Sequence, residues 1–357
     1  MTQAATVKQS RAKEWGADLL YRTGALTAAQ KLYQHSKRGA STSEDRNRPF
    51  LILLYHRVNT DGDSFFPSVP VAVFEEQIKY FATHFQVLAL GEILDRIRRG
   101  IPLKPLTLAI TFDDGYRDNY LFAHSVLRKY GLPATVFIAT GYIGSKKLMW
   151  NDRLAWALKY TNRKHFYICQ GGGNGRISIQ TKEEKRQSLD RLLNWLKAVP
   201  DDEKLELLES VLSSIGNATA EPSDRMLEWV QVREMAQDGW EVGSHTVNHS
   251  ILTKLQPSRV VAELESSKTV IENMLQRPVD LFAFPNGKES DFNPEVNAAI
   301  KNAGYRAAVT TVRGINGLGT DVFELRRCSP WEQHVSSLAA KLTYLYWRGF
   351  ENGTFKE

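Results

Sequence analysis

From residue 50 onwards the chain alternates short apolar segments with segments of helical periodicity. Stretches such as FLILLY (50–55), LTLAITF (106–112) and ATVFIAT (134–140) are typical of buried strands. The segments between them repeat apolar residues at helical spacing, as in FEEQIKYFATHF (74–85). This alternation predicts parallel strands joined by right-handed crossovers. About seven strands occur, so we expect an α/β, TIM-like barrel with its chemistry at the carboxyl ends of the strands.

Three segments lie outside this alternation. Residues 1–49 are predicted to form a basic, partly helical arm, and residues 334–357 a helical C-terminal tail. Residues 141–228 interrupt the alternation and contain two stretches of amphipathic helical spacing, at 182–199 and 201–215. We therefore predict a barrel over residues 50–333, with 141–228 as a helical insertion beside its mouth rather than an independent domain.

The positive charge is concentrated in the N-terminal arm. Residues 1–49 hold nine Lys or Arg and four Asp or Glu, so they contribute +5 of the formal net charge of +6. A basic surface for nucleic acid is therefore not expected on the barrel. Large apolar residues among these charges indicate either a helix lying on a membrane surface or a helix docked on its own domain; they are Trp15, Leu19, Leu20, Leu26 and Leu32.

Targeting features are few. No apolar run near the first residue has the length of a signal peptide, and none elsewhere has the length of a membrane span. We therefore expect a cytoplasmic protein, peripheral to the inner face of the membrane if the arm binds there. The two cysteines, Cys169 and Cys328, lack metal or redox spacing, so they indicate neither a disulfide framework nor a compartment.

Two adjacent carboxylates, Asp113 and Asp114, follow the predicted strand at 106–112 and precede Gly115. An ordinary Asp-Gly turn that faces water explains this pattern. The alternative is a partly dry site, where a cation must offset the repulsion between the two charges. This stretch alone leaves both interpretations open.

Two histidines, His245 and His249, lie at the end of another predicted strand, WEVGSH (240–245). On a helical turn their imidazoles would face one side and could share a metal, although capping or core hydrogen bonds also explain such a pair. Both motifs end strands, so a barrel would bring them to the same rim. One aspartate and two imidazoles leave a ligand position open, as catalytic zinc requires, and the second aspartate can accept a proton.

Three motifs in this order, TFDDG (111–115), SHTVNH (244–249) and FAFPNG (282–287), resemble the leading motifs of the polysaccharide deacetylase family, the nodulation-type chitooligosaccharide deacetylase homology domain. The resemblance covers roughly residues 50–330. It implies a distorted (β/α) barrel and metal-dependent removal of N-acetyl, sometimes O-acetyl, groups from carbohydrate. It also implies that Asp113 is the general base and that the metal ligands are Asp114, His245 and His249. The expected metal is Zn²⁺, with Co²⁺, Mn²⁺ or Ni²⁺ as alternatives.

The third motif departs from the pattern of many family members. They carry an arginine, which contacts the catalytic aspartate, where this chain has Ala283. A branch that resembles exopolysaccharide-biosynthesis deacetylases carries the arginine in a later LPR segment. FELRRC (323–328) resembles that segment, with Arg327 the better match and Arg326 the alternative. A surface arginine is the other interpretation.

The general acid is less clear from the sequence. The late Leu-x-His motif of many members has no convincing match, and His334 is expected to be structural. His56 in LLYHRV ends the first predicted strand and resembles the same branch. It is the candidate acid or sugar contact, and a hydrogen-bonded core histidine is the alternative.

Further candidates flank these motifs. Pro285 is expected to fix the backbone, so that an amide of Asn286 or Gly287 donates to the oxyanion; an ordinary turn is the alternative. Tyr116 would either stack on a sugar ring or fill the core.

Together these features predict a metal-dependent hydrolase that removes N-acetyl groups from an amino-sugar polysaccharide or its precursor. The expected partner is an acetylated amino-sugar glycan or a lipid-linked precursor, and not nucleic acid. Ala283 and the missing late histidine motivate one alternative, a non-catalytic carbohydrate-binding barrel. A metal-dependent amidase acting on a non-sugar amide is the other.

Overall fold

The computed structural model describes residues 14–36, 48–168, 175–216, 225–317 and 319–352. Cys169, the basic residues of 1–13 and 37–47, and the end of the predicted tail lie outside these ranges. The strands, in chain order, are β1 (Phe50–Tyr55), β2 (Val58–Asn59), β3 (Val69–Pro70), β4 (Gln86–Val87), β5 (Thr107–Phe112), β6 (Thr135–Ile138), β7 (His165–Ile168), β8 (Gly175–Ser178), β9 (Glu241–Ser244), β10 (Leu281–Ala283), β11 (Ala307–Arg313) and β12 (Leu325–Arg327).

Helices connect these strands and cover the outside of the sheet. In chain order they are α1 (residues 14–22), α2 (Ala25–Ser36), α3 (Val71–His84), α4 (Leu90–Arg98), α5 (Ser125–Tyr130), α6 (Trp150–Tyr160), α7 (Lys182–Ala198), α8 (Asp201–Ile215), α9 (Trp229–Gln237), α10 (Pro257–Leu275), α11 (Pro294–Asn302) and α12 (Val335–Asn352). In the described part of the chain, no helix combines the length and the hydropathy needed to cross a bilayer.

Seven parallel strands form a nearly closed barrel in the order β1, β5, β6, β9, β10, β11, β12, and β4 pairs with the start of β5. The ends of this sheet meet where the Leu54 amide donates to the Cys328 carbonyl at 3.0 Å and the Cys328 amide donates to the Ile52 carbonyl at 2.9 Å. The predicted α/β barrel of about seven strands is therefore confirmed. Since all seven strands run in one direction, their carboxyl ends share one rim.

Burial on both faces explains why the strand segments are continuous apolar runs in the sequence. Every residue of β1 and of β5 is buried, because the barrel core lies on one face and helices cover the other. Strand residues such as Leu51, Leu53 and Phe112 belong to one large hydrophobic cluster. The outer helices bury one face each, as α3 does with Phe74, Ile78 and Phe81 among others.

The insertion contains the two helices expected from the sequence, α7 and α8, and two further elements. The antiparallel hairpin β7–β8 and the helix α6 were not predicted. β8 is largely exposed, and α6 buries residues on most of its circumference, so neither shows a clear period. The insertion has its own hydrophobic cluster, which Phe65 and Phe66 of the β2–β3 connection join. These two rings attach the insertion to the barrel.

The helical segment that follows the TFDDG motif begins with a wider turn than an α-helix. Asn119–His124 form a π-helix, which continues directly into α5. Asn119 is fully buried there, and its side-chain amide donates to the His56 carbonyl at 2.7 Å. The wider turn thus holds the start of this helix against the end of β1.

Candidate active site

Three side chains that can bind a metal converge at the carboxyl end of the barrel. Asp114 lies just after β5, His245 follows β9 directly, and His249 lies four residues further on. The Nε2 atoms of His245 and His249 are 3.4 and 3.2 Å from Asp114 Oδ1, and one ligand atom from each residue lies within 4.8 Å of the others. Among the described residues this is the group with the composition and spacing of a metal site.

The histidines are held by a loop and not by the helical turn considered from their spacing. Thr246 and His249 adopt φ values of +66° and +54°, in the left-handed region, which a continuous right-handed helical turn does not contain. The loop is anchored on one side by β6, whose following residues Thr140 and Gly141 donate to the carbonyls of Thr246 and Val247. Asp114 also has a positive φ, of +78°. Such conformations are unfavourable for residues with a side chain and persist only where surrounding contacts enforce them.

The donor set fits a divalent cation. Asp114 Oδ1 is buried and accepts no well-directed hydrogen bond from any described residue, although two imidazole nitrogens are near. His245 Nδ1 lies 2.7 Å from the carbonyl oxygen of Ala283, so this nitrogen carries the proton and Nε2 offers its lone pair. The Nε2 lone pair of His245 is therefore available to a cation beside Asp114 Oδ1. One carboxylate and two imidazoles suit Zn²⁺ and several other divalent ions.

Charges within the site shift the pKa values of these ligands. Burial raises the pKa of Asp114, but the neighbouring His249 and His245 outweigh burial and hold it well below its ordinary value. Burial lowers the pKa of both histidines. The carboxylates of Asp113 and Asp114 reverse this for His245, whose pKa is raised, but not for His249, whose pKa remains lowered. A bound cation would displace any proton that these ligands hold, because it binds neutral imidazoles and an ionised carboxylate.

Asp113 is bound by an arginine from β12, which lies on the other side of β1 from β5. Arg327 Nη1 donates to Asp113 Oδ1 at 2.7 Å and Nη2 donates to Oδ2 at 2.6 Å. Nε of the same guanidinium donates to the Thr310 carbonyl at 2.7 Å, which fixes its plane. Both charged side chains are fully buried. Of the two candidate arginines it is Arg327 that reaches the aspartate, whereas Arg326 lies on the other face of β12.

This ion pair keeps Asp113 ionised. Burial alone would raise the pKa of Asp113, but Arg327 outweighs it, with smaller effects from His245 and His56, so the pKa lies below its usual value. Each carboxylate oxygen retains a second lone pair beside the one that accepts from Arg327. Asp113 can therefore still accept a proton on the side that faces the ligand triad.

His56 lies on the same rim, directly after β1. It is half-buried, and it is close enough to contribute to the lowered pKa values of both Asp113 and Asp114. His334, by contrast, is exposed at the start of α12. Of these two histidines, only His56 faces the candidate site.

Tyr116 is buried rather than presented as a stacking surface. It is 3% exposed, and the guanidinium carbon of Arg57 lies 3.5 Å from its ring centroid. Arg57 in turn forms a buried ion pair with Asp152 of α6 at 2.7 Å, and Tyr116 hydrogen-bonds to Asp152. Tyr116 thus supports an ion pair that joins the insertion to the barrel rim. Because Arg57 covers one face of the Tyr116 ring, a sugar cannot stack on that face.

The turn after β10 leaves one of its two amides free for a ligand. The Gly287 amide donates to the Pro285 carbonyl at 2.8 Å, so it is not available for an oxyanion. The Asn286 amide donates to no backbone carbonyl within the described ranges. Asn286 has a φ of +61°, and its side chain donates to Asp291 Oδ2 at 2.5 Å. Thr311 holds the turn from β11 by donating its amide to the Gly287 carbonyl and its hydroxyl to the Asn286 carbonyl.

Sequence reasoning missed the residue that braces the histidine loop. Glu263 of α10 is buried and accepts the backbone amides of Val247 and Asn248 at 2.7 and 2.9 Å on Oε2. Its Oε1 accepts the Asn248 side-chain amide at 2.6 Å. The sequence did place an acidic residue on the buried face of an amphipathic helix, which indicates that the residue has a polar partner. The identity of that partner could not be predicted from the sequence.

The insertion also contacts this loop. Ser250, next to His249, donates its hydroxyl to Asp201 Oδ2 at 3.2 Å, and Asp201 is ion-paired with Lys204 on the same helix, α8. Both charged residues are buried. Arg259 of α10 binds the neighbouring Asp202. The start of α8 therefore packs directly behind the metal-ligand loop.

Comparison with known proteins identifies relatives of this chain. The family model for polysaccharide deacetylase matches residues 101–308. The Bacillus subtilis (strain 168) protein YxkH, assigned by name to the polysaccharide deacetylases, is 25% identical over 277 residues, which are 77% of this chain and 69% of YxkH. The poly-beta-1,6-N-acetyl-D-glucosamine N-deacetylase of Staphylococcus aureus (strain MSSA476) is 38% identical over 80 residues, which are 22% of this chain and 27% of that protein.

Solved structures share the fold. The Streptococcus pyogenes deacetylase PplD superposes with a TM-score of 0.55 at 19% sequence identity, covering 83% of this chain and 98% of PplD. IcaB from Ammonifex degensii superposes with a TM-score of 0.52 at 18% identity, covering 82% of this chain and 97% of IcaB. At these identities the likeness establishes a common architecture.

Proposed function

This chain belongs to the polysaccharide deacetylase family, and we propose that it is a metal-dependent carbohydrate deacetylase that removes N-acetyl groups from an amino-sugar polysaccharide or its precursor. The observation that carries the proposal is the convergence of Asp114, His245 and His249 beside an ionised, arginine-bound Asp113. The other steps are assigned from the surroundings of these four residues.

Asp114, His245 and His249 would hold a divalent cation, which we propose to be Zn²⁺. When bound, such a cation acts as a Lewis acid that polarises water and the acetyl carbonyl. The hydrogen bond from His245 to the Ala283 carbonyl orients one imidazole for this role, and the Glu263 carboxylate holds the loop that carries the other.

Asp113 is the proposed general base. Its carboxylate, held by Arg327, takes the proton of the attacking water as the new C–O bond forms at the acetyl carbon. We assign the backbone amide of Asn286 as the donor to the oxygen that becomes negative in the tetrahedral intermediate, because the Gly287 amide is already bonded within the turn. His56 is the proposed acid: it protonates the sugar nitrogen as the C–N bond breaks, leaving acetate and a free amine.

The substrate assignment has separate support. The Staphylococcus aureus relative is named for N-deacetylation of poly-beta-1,6-N-acetyl-D-glucosamine, and we propose the same bond type for this chain. The non-catalytic alternative was motivated by the missing late histidine and by Ala283, where many family members have arginine. Arg327 supplies a guanidinium to Asp113 from β12 instead, so this motive is removed.

The test is acetate release from β-1,6-linked N-acetylglucosamine oligomers by metal-stripped protein, with and without added Zn²⁺. Two neighbouring substitutions separate the proposed roles. Asp113→Asn should retain Zn²⁺ affinity and lose turnover by about a hundredfold or more, the usual worth of a general base. Asp114→Asn should lose Zn²⁺ affinity, measured by calorimetry, and lose turnover with it.

The result that would overturn the base assignment is wild-type turnover by Asp113→Asn. Acetate release that is unchanged after complete metal removal would overturn the metal role. Hydrolysis of small non-sugar acetamides at a higher kcat/KM than the oligomers would favour the amidase alternative.

A further inference from the structure

A cavity outside the candidate active site lies between the insertion and the β2–β3 connection. Its volume is about 650 Å³, which is within the range of cavities that bind small organic ligands. It is lined by side chains of the β2–β3 connection, of α6, of residues 180–185 and by Arg225. None of the residues assigned to the active site belongs to this lining. We call it the insertion cavity.

Positive charge exceeds negative charge in the lining of the insertion cavity. Four Lys or Arg side chains and two Asp side chains contribute to it. Lys159 is paired with Asp63 at 2.6 Å, whereas Asp61 is exposed and forms no ion pair with a described residue. Three cations of the lining therefore have no acidic partner within the described ranges: Lys182, Lys185 and Arg225.

Arg225 is half-buried without a paired carboxylate. Its guanidinium carbon lies 3.9 Å from the ring centroid of Phe66 and 4.9 Å from that of Trp156. Its Nε atom is buried and has no hydrogen-bond partner in the described part of the chain. Burial and the neighbouring Arg57 lower the pKa of Arg225 by more than the nearby carboxylates raise it. Such a cation is unfavourable in the free protein, and a bound anion would remove this cost.

Backbone hydrogen bonds hold Arg225 next to the catalytic rim. Its carbonyl accepts the Arg117 amide at 2.7 Å, and the Leu227 amide donates to the Gly115 carbonyl at 2.9 Å. Gly115 directly follows Asp114, so the segment that carries Arg225 is bonded to the chain that leaves the proposed metal site. A ligand in the insertion cavity would therefore lie beside the metal site and not in it.

The rest of the lining suits an anion that is attached to a ring. Lys185 Nζ donates to the Lys159 and Thr161 carbonyls at 3.2 and 2.9 Å, so one of its three N–H groups remains for a ligand. Aromatic side chains also contribute apolar atoms to this lining; they are Phe65, Trp156 and Tyr160. Charged donors and ring atoms thus occur in the same cavity.

We propose that the insertion cavity binds the anionic group of a sugar, a carboxylate or a phosphate, with Arg225 as its main contact and Lys182 and Lys185 as further donors. The N–H groups of a guanidinium match the geometry of both anions. The assignment to a sugar rests on the proposed function, since the neighbouring site would act on a glycan or its precursor. A carboxylate would belong to a uronate residue of the glycan, and a phosphate to a sugar phosphate of the precursor.

Calorimetry on the full-length, Zn²⁺-loaded protein tests this site with glucuronate, N-acetylglucosamine 1-phosphate and uncharged N-acetylglucosamine. We expect an anionic probe to bind about tenfold or more tightly than the uncharged one, with an affinity that falls as salt is added. Tighter binding of glucuronate would identify a carboxylate, and tighter binding of the sugar phosphate would identify a phosphate. Inorganic phosphate that binds as tightly as the preferred sugar would overturn the sugar contact.

Two substitutions in the lining should weaken binding of the preferred probe. Arg225→Met should lower the affinity about tenfold or more and leave the thermal midpoint equal or higher, because methionine keeps the apolar contacts without the buried charge. An arginine with a purely structural role would lower the midpoint when removed and leave the affinity unchanged. Lys182→Gln changes an exposed side chain, so its expected several-fold loss of affinity does not depend on the folding of the Arg225 variant.

The matched control is Arg153→Gln. Arg153 belongs to α6 but not to the lining of the insertion cavity, and its guanidinium is paired with Glu209 at 2.6 and 3.0 Å. This variant should bind the probes like the wild type. Equal affinity for charged and uncharged probes would overturn the proposal, as would undiminished binding by both Arg225→Met and Lys182→Gln. Binding that is lost with Zn²⁺ but kept in Arg225→Met would assign the anion to the metal instead.

Binding and turnover are measured separately, so this inference and the proposed function can fail independently. Arg225-dependent binding by a protein that releases no acetate from oligomers would leave the anion site intact while the proposed function failed. Acetate release by a protein that binds none of the anionic probes through Arg225 would overturn the anion site alone.

Discussion

Arg327 and Asp113 form a two-point ion pair between the ends of β12 and β5, the two neighbours of β1, with both charged side chains fully buried and hydrogen-bond lengths of 2.7 and 2.6 Å. A charge pair in this setting is costly to break, because the remaining partner is left buried without compensation. The two hydrogen bonds also fix the direction of the Asp113 carboxylate relative to Asp114, His245 and His249. The pair therefore links stability, the proton affinity of Asp113 and, on the proposed function, the orientation of the general base in a single contact.

Substituting Arg327 should change the rate and its pH dependence. Arg327→Lys keeps the charge but not the two parallel hydrogen bonds, so we expect kcat/KM to fall about a hundredfold with Zn²⁺ affinity little changed. Arg327→Met removes the largest of the charges that offset burial of the Asp113 carboxylate, so the pKa of Asp113 rises. The base must be ionised to act, and the acidic limb of the pH–rate profile should then move to higher pH.

The neighbouring residue provides the control for this prediction. Arg326→Lys should leave kcat/KM and the pH profile close to those of the wild type, because Arg326 does not contact Asp113. An equal loss of activity in both lysine variants would show that the effect comes from β12 as a whole. Arg327→Met should also lower the free energy of unfolding, by about 3–5 kcal/mol in chemical denaturation.

Glu263→Gln should weaken metal binding without contacting the metal. The carboxylate accepts three N–H groups of the histidine loop, and an amide side chain has a single acceptor oxygen. We expect Zn²⁺ affinity to fall about tenfold to a hundredfold, with turnover restored at saturating Zn²⁺. Glu265→Gln, an exposed position on the same helix, should match the wild type. Unchanged Zn²⁺ affinity in Glu263→Gln would show that the loop is held by its other contacts.

Gly141→Ala should displace the same loop from the opposite side. A Cβ at this position would lie 2.8 Å from the carbonyl oxygen of Val247, which is backbone and cannot rotate away. We expect a destabilisation of about 1–3 kcal/mol in thermal or chemical unfolding, together with weaker Zn²⁺ binding. Gly16→Ala is the control, since nothing lies within 4 Å of its Cβ position. It should be neutral or slightly stabilising, because alanine favours the helix.

Asp118→Asn should reveal a carboxyl group that favours its neutral form. Burial raises the pKa of Asp118 to about 6, even though Arg57 and the Asn59 amide act in the opposite direction. The folded protein then holds this proton more tightly than the unfolded chain, so wild-type stability falls as pH rises from about 4 to about 6. The asparagine variant lacks this contribution.

The measurement is the difference in unfolding free energy between the wild type and Asp118→Asn across this pH range. The difference should change by about 2–3 kcal/mol in favour of the variant as pH increases, and then level off. Any constant offset from lost hydrogen bonds is independent of pH and does not affect this slope. A difference that is flat from pH 4 to pH 7 would contradict the raised pKa.

Much of the fold could be predicted because its determinants are local. The order of strands and helices follows from periodicities of a few residues, and the catalytic motifs each occupy the end of one strand. Parallel strands place those ends on one rim, so the proximity of the TFDDG and SHTVNH segments follows from topology. Helix α6 and β8 were missed because their burial has no regular period, and β7 alternates over only four residues.

The details of the site depended on contacts between distant residues. The spacing of His245 and His249 suggested a helical turn, but contacts from Glu263 and from the residues after β6 hold them in a loop with positive φ angles. Either amide of Asn286 and Gly287 was a candidate oxyanion donor until the turn was seen to use the second one internally. Neither outcome is encoded within the motifs themselves.

The sequence by itself determined that this is an alternating α/β chain with two acidic and two imidazole side chains at strand ends. Only the tertiary structure decided which arginine completes the site. Arg326 and Arg327 are adjacent on a strand and must face opposite sides, but the pattern alone does not say which side is the barrel interior. That choice is made when β12 closes against β1 and brings Arg327 to an aspartate 214 positions earlier in the chain.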